Sequence, residues 1–323
     1  MKFVTISTPL IQNSKDFLNI EKISLFKSLK YLFSNVTFVG WGRKKSGFWA
    51  IRMAKNTNNN FLLLEDGFIR SFGLGVNGSP SFSIVKDNIG IYYDTTKPSK
   101  LENILNSYDF KNDKRLMLIA KEAISKIIEY KISKYNNFKE FDLGYLDNGK
   151  EKVLIVAQTY GDSSLEYGLG NVFSTKEMMD DAIRDNPDSE IYIKIHPDVL
   201  SGKKQSDIDI NQVDTRCKIL KDNINPIVLI SYFNKIYTKT SGMGMEALLL
   251  NKEVHCYGVP FYSGWGLTID KQVSKRRQRN VTIQELFAGA YILYTDYYNP
   301  YLNEKIDILA LIEYISKNRV QFK

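Results

Sequence analysis

Histidine is nearly absent from this 323-residue chain, which has only His196 and His255. Cysteine is as scarce: Cys217 and Cys256 are far apart and in no metal-ligand spacing, so they read as small buried hydrophobes rather than a zinc or disulfide framework. No run approaches ~18 consecutive apolar residues, so no membrane-spanning helix is expected. The opening MKFVTISTPLIQNSKD reads as a strand and a turn, without the long apolar stretch and small-residue cleavage site of a signal peptide. The protein is therefore expected to stay in the cytoplasm. With no zinc knuckle, RNP string or internal repeat, a nucleic-acid partner is disfavoured.

What is present is a basic, amply hydrophobic chain, with a formal net charge of +8 and 43% hydrophobic residues. That length exceeds one ordinary core and suits two α/β domains. The charge calls for anionic partners such as anionic lipid or a phosphorylated substrate. Five cations fall within KQVSKRRQR at 271–279, a solvated loop or an anion-binding segment. Strands are expected at 2–7, 36–40 and 61–65, a strand pair at 84–93, and helices at 14–32, 46–55, 99–105 and 113–135. The polar string LDNGKE at 146–151 marks a boundary between an N-terminal unit, 1–147, and a C-terminal unit, 148–323. The α/β pattern restarts there, with helices expected at 175–186, 282–293 and 303–317. Two such units facing across a crevice give the α/β, two-Rossmann-domain GT-B arrangement of nucleotide-sugar transferases.

Three strings carry chemistry. QTYGDSS puts Asp162 in a turn past a buried strand, with Gly161 allowing a ligand to approach closely. KIHPDV ends a β-branched run with His196, where open α/β sheets build their ligand crevices. TKTSGMGMEALLL reads as strand end, turn and helix, where the Ser241 hydroxyl and the amides of Gly242 to Gly244 can hold a phosphate. Carboxylate, imidazole and phosphate cradle together point to group transfer from a phosphate ester. The bland alternatives are a helix cap for Asp162, a structural strand-end histidine, and a solvent-facing first-turn acid for Glu246. Asp207 and Asp209 form the short acidic pair of the second half, in a loop read as solvated, so no metal is expected.

The sequence resembles a known family, the KpsC-type retaining β-Kdo glycosyltransferases of bacterial capsule synthesis. The strings that carry the resemblance are LLEDGFIRSFGLGVNGSP, GIYYDTTKPSKLE, SKYN, QTYGDSS, KIHPDVLSGKK, TSGMGMEALL and YGVPFYSGWGLT, in family order along nearly the whole chain. Family members often carry two such modules, and LEDGFIRS and GVNG are most similar to the first. The resemblance implies a cytoplasmic enzyme, peripheral to the inner membrane, moving Kdo from CMP-β-Kdo to a Kdo-bearing phosphatidylglycerol-type lipid alongside other capsule-synthesis proteins. It implies no cofactor and no metal, because a one-phosphate leaving group needs few charges to offset it.

Residue by residue, the resemblance implies Asp162 as nucleophile, His196 with Pro197 as the donor to the departing phosphate, and Glu65 as base on the acceptor hydroxyl, ahead of Asp66. Ser241, Gly242 and Gly244 would hold the CMP phosphate, Glu246 the cytidine ribose, and Arg70 with Asp66 the acceptor or a sugar carboxylate, unless a Glu65–Arg70 ion pair is structural. Lys194, Arg276 and Arg277 are further contacts for donor anions, Trp265 is a packing residue of the nucleotide site, and His255 is structural. A CMP-sialic acid type transferase shares the His-Pro and serine-turn devices but would leave LEDGFIRS and YSGWGLT unexplained. A non-catalytic glycolipid-binding module is the alternative from another class, and intact Asp162, His196 and Ser241 argue against it.

Overall fold

The computed structural model describes residues 2–24, 31, 35–75, 78–138, 141–195, 199 and 205–319. Alternation along β3 (Val36–Trp41) shows how the first sheet is buried: Val36 and Phe38 pack against Ala50, Met53 and Ala54 of α2 (Lys45–Thr57), while Val39 and Trp41 face Leu10 and Leu64 on the other side. The sheet also holds β1 (Lys2–Thr5), β2 (Glu21–Lys22), β4 (Asn60–Asp66) and β5 (Ser83–Asp87); β1 to β4 run parallel and β5 antiparallel to β4.

The second sheet is parallel throughout, in the order β11-β10-β9-β6-β7-β8. Its strands are β6 (Lys152–Val156), β7 (Glu190–Lys194), β8 (Cys217–Leu220), β9 (Lys235–Thr238), β10 (Glu253–Cys256) and β11 (Ile269–Asp270). Val153 and Ile155 pack on Met178, Met179 and Ala182 of α6 (Thr175–Asp185), and Leu154 and Val156 face the largest core cluster. That cluster runs through both halves, from Leu63 and Phe82 to Leu154 and Ile312. The architecture is two Rossmann-like α/β units in the expected GT-B type arrangement.

The chain does not keep its second half to the second sheet. After a helix at Ile283–Phe287, continued as a π-turn at Ala288–Leu293, β12 (Thr295–Asn299) pairs with β5 and β13 (Glu304–Lys305) with β12, so both join the first sheet. The unit expected at 148–323 thus lends its last two strands to the other. The helix expected at 303–317 begins only at Ile308, capped by Asp307.

Other differences have local causes. Of the helix expected at 14–32, residues 25–30 and 32–34 lie outside the described residues; before them a helix spans Thr8–Ser14, started by the Ser7 cap and Pro9, and Glu21–Lys22 is a strand. The strand pair expected at 84–93 is one strand, because the Asp87 carboxylate accepts from the Ile89 and Gly90 amides (both 2.8 Å) and turns the chain. The helix expected at 113–135 is α4 (Lys114–Glu129); Lys131 at φ +55 ends it, and the chain continues as an extended strap whose Tyr135 bridges to Ser71. No helix among the described residues is long and apolar enough to cross a membrane.

Candidate active site

The motif residues gather at or just past the C-terminal ends of β3, β4, β6 and β9, where parallel α/β sheets open their ligand crevices. On the first wall, Glu65 accepts from the Trp41 indole N–H at 2.7 Å and from the Asp66 amide at 3.2 Å. Gly42, at φ +34, makes room for this arrangement, since a Cβ there would sit 2.2 Å from the Tyr93 hydroxyl and 2.5 Å from Glu65 Oε2. Burial, and then the charge of Asp66, push the Glu65 carboxyl up to about 7. The alternative reading of Arg70 as an ion-pair partner of Glu65 is replaced by a pair with Asp66, at 3.1 Å. Arg70 also donates to Ser71 Oγ (2.9 Å) and the Ser79 carbonyl (3.0 Å).

On the second wall, Asp162 caps the short helix α5 (Ser163–Tyr167), with Oδ1 accepting from the Ser164 amide at 2.9 Å. Both Asp162 and Gly161 are exposed, and Gly161 lies at φ +79, where a side chain would be strained although space is open. A buried hydrogen-bond network ties this turn to the Ser241 turn. Gln158 accepts from the Thr240 amide at 2.8 Å and donates to the Thr240 hydroxyl at 3.0 Å, and that hydroxyl meets Ser164 Oγ at 3.0 Å. Thus QTYGDSS and TSGMG are locked in one register.

Ser241 Oγ accepts from the Met243 amide at 3.3 Å, which leaves its proton available to a ligand. The Gly242 amide has no partner among the described residues. Gly244 departs from its expected part: its amide bonds the Ser241 carbonyl (3.1 Å), and a Cβ would collide with the Tyr262 ring, so it serves close packing. Glu246 is neither solvent-facing nor open to a nucleotide. It is buried in the helix Met243–Leu249 and accepts from the Ser133 hydroxyl, and burial raises its carboxyl to about 7 despite that bond and the charge of Lys134.

Three other expectations, for the Arg276 and Arg277 pair, Trp265 and Asp207, meet a different outcome. Arg276 and Arg277 bind Glu102, at 2.9 and 3.2 Å, and Arg277 is buried with Nη1 on the Pro260 and Ser263 carbonyls and its head over the Trp265 ring. Their charge joins the halves and is not free for a donor anion. Trp265 is wholly buried, its N–H on the Phe261 carbonyl, so it packs the core rather than a nucleotide. Asp207 is not solvated: it pairs with buried Lys239 at 3.2 Å and accepts from the Thr175 hydroxyl at 2.6 Å, whereas Asp209 is exposed as read. Lys194 donates to the Asp222 carbonyl at 2.9 Å, and burial brings its ammonium down to about 8. His255 pairs with Glu253 at 2.7 Å and stacks on Tyr237, 4.1 Å between ring centres. His196 and Pro197 lie outside the described residues.

Sequence reasoning passed over Lys134, although its string SKYN was among those singled out. Burial works to lower its ammonium, but the charges of Tyr135, Asp66, Glu65 and Asp162 outweigh burial and raise it. With its carbonyl bonded to the Arg70 and Ser71 amides and its Nζ 6.0 Å from the Tyr135 ring centroid, it is a cation beside the first wall that also feels Asp162 of the second. The available signal was a lysine just after a helix end, flanked by Ser133 and Asn136.

Comparison with known proteins settles the family. Residues 37–149 and 119–298 match the family described as "Capsule polysaccharide biosynthesis protein". The chain belongs to this family. It is 39% identical over 289 residues to the capsule polysaccharide modification protein LipA of Neisseria meningitidis, covering 86% of this chain but 41% of LipA, so it spans less than half of that relative. Among solved structures it resembles the Thermosulfurimonas dismutans KpsC "beta Kdo 2,4 transferase" at TM-score 0.89 and 38% identity, covering 98% of both chains. The KpsC "beta Kdo 2,7 transferase" of the same organism superposes at TM-score 0.76 with 28% identity, covering 98% of this chain and 99% of that one.

Proposed function

We propose that this chain is a retaining β-Kdo glycosyltransferase that moves Kdo from CMP-β-Kdo to a Kdo-terminated phosphatidylglycerol-type lipid at the cytoplasmic face of the inner membrane, extending the poly-Kdo linker of a capsular polysaccharide. The observation that carries this reading is the pairing, across one crevice, of an exposed carboxylate on Asp162 with a proton-retaining one on Glu65. The greater likeness to the 2,4 transferase than to the 2,7 transferase, 38% against 28% identity, favours a β-(2→4) linkage.

Retention at C2 of Kdo requires two inversions. Asp162 Oδ2, left open by the cap bond on Oδ1, attacks C2 as the C2–O bond to the phosphate breaks and CMP departs. The Ser241 hydroxyl, the Gly242 amide and His196 receive the phosphate charge, an electrostatic role in which a lost donor costs ~3 kcal/mol in other enzymes. Glu65 then takes the proton of the acceptor hydroxyl, whose oxygen attacks C2 and releases Asp162. Wild-type protein, CMP-Kdo generated in place and a synthetic Kdo-lipid acceptor should give a β-(2→4) product by NMR. An α product would reject double displacement, a β-(2→7) product the linkage, and no product the activity. With donor supplied separately, transfer should survive excess EDTA; loss restored by Mg²⁺ would overturn this account of the phosphate site.

A further inference from the structure

Almost every cation near the crevice is already engaged. Arg70 is paired with Asp66, Arg43 with Asp94, Arg276 and Arg277 with Glu102, and Lys239 with Asp207, while Lys194 is held by the Asp222 carbonyl. Lys44 lies exposed over the Trp41 ring, its Nζ 5.9 Å from the centroid. Lys134, its Nζ 6.0 Å from the Tyr135 ring centroid, differs in being half-buried; no carboxylate among the described residues is within ion-pairing distance of its ammonium, yet it feels Glu65 and Asp66 on one wall and Asp162 on the other.

Its backbone is firmly held. The Lys134 carbonyl accepts from the Arg70 and Ser71 amides at 2.9 and 3.3 Å, Ser133 donates to Glu246, and the Asn136 amide bonds the Phe72 carbonyl at 2.7 Å. A fixed backbone carrying an unpaired, partly buried ammonium gives an anion a prearranged receptor at low ordering cost. Four acids neighbour that charge, of which Asp162 stands exposed on the opposite wall. Asp66 is offset by Arg70, and Glu65 and Glu246 hold protons more readily than ordinary glutamates.

We propose that Lys134 receives the carboxylate of the acidic sugar handled in this crevice and so selects acidic over neutral sugars. The assignment rests on the Kdo-transfer reading. In Kdo the carboxylate is bonded to C2, the carbon that Asp162 attacks, so its receptor must lie within reach of both Asp162 and Glu65. Arg70, Arg276 and Arg277, the guanidinium groups first expected to do this, have other partners.

The test measures binding to the full chain of the β-methyl ketoside of Kdo and of its C1 methyl ester, by calorimetry or ligand-observed NMR. Wild-type protein should prefer the acid. Lys134→Gln should weaken acid binding by on the order of 10- to 100-fold, the worth of a hydrogen bond to a charged group, and leave the ester unchanged. Lys134→Arg should keep most of the preference, and Lys134→Met, which keeps the aliphatic stem, should repeat the glutamine result if that variant folds poorly. An unchanged acid preference in the uncharged variants, or none in the wild type, overturns the proposal. Since no transfer is measured, a chain that lost Kdo transfer yet kept a Lys134-dependent acid preference would reject the activity and not the receptor.

Discussion

The two walls of the crevice are built in opposite ways. On the first, Glu65 is enclosed by the Trp41 indole at 2.7 Å, the Asp66 amide at 3.2 Å and the Tyr93 hydroxyl. On the second, Asp162 stands exposed on a turn, and among the described residues its carboxylate accepts a hydrogen bond from the Ser164 amide of its own helix. Enclosure holds a proton on Glu65 near neutrality, and exposure leaves the Asp162 carboxylate open to solvent, so one crevice presents the same functional group in two environments, as the proposed base and nucleophile require. The walls are not independent, because Ser133 reaches from the first half to Glu246 in the second and Lys134, beside the first wall, also feels Asp162 of the second.

The comparison breaks most directly at Asp162. Asp162→Ala should fold, losing about 1 kcal/mol with the helix cap, and should lose transfer by roughly three orders of magnitude or more. Wild-type protein with CMP-Kdo and no acceptor should gain the mass of one Kdo residue on the peptide containing Asp162. A near-normal rate in the variant, or an adduct on Glu65, would reverse the roles of the walls.

Glu65 is next. Glu65→Gln keeps the Trp41 bond and removes the base, so turnover should fall roughly 100- to 1000-fold. A base must be deprotonated to act, so wild-type activity should rise through pH 7 as Glu65 ionises, a limb that the variant should lack. A pH profile that kept this limb in Glu65→Gln would assign it to another group.

Arg277 tests whether the basic run is structural or donor-binding. Arg277→Met leaves Glu102 with Arg276 alone and empties a buried site, which should cost about 3–5 kcal/mol in denaturant unfolding. Donor KM in the folded fraction should hold. A raised KM with normal stability would restore the role first expected from the sequence.

These outcomes bear on what a sequence can reveal. The strands β1, β3, β4, β6, β7 and β9 and the turn positions of Asp162 and Ser241 were legible because each depends on a local signal, a β-branched run followed by glycine and small polar residues. Pairing across long separations was not. Nothing local tells that Glu102, in the helix Lys100–Ser107, consumes Arg276 and Arg277, or that Lys239 buries Asp207. Likewise β12 joins the first sheet by long-range pairing with β5, which the pattern restart after residue 147 obscured. Lys134 was hidden by α4, whose apolar spacing seemed to continue through it.

Glu246 gives the smallest and most particular test. Its carboxyl is buried and raised from 4.5 to about 7, mainly by burial. A group whose folded value lies above its unfolded value stabilises fully below the unfolded value and loses that contribution as pH rises through the folded one. Glu246, with Glu65 acting likewise, should therefore make the protein melt lower as pH climbs from about 4.5 to 7. Glu246→Gln keeps an acceptor for the Ser133 hydroxyl and removes the titration, so its melting temperature should fall less steeply across that window. Thermal melts at several pH values would decide. A variant whose slope equals that of the wild type would mean that Glu246 ionises without cost, and that the seam between the halves is wetter than its buried contacts require.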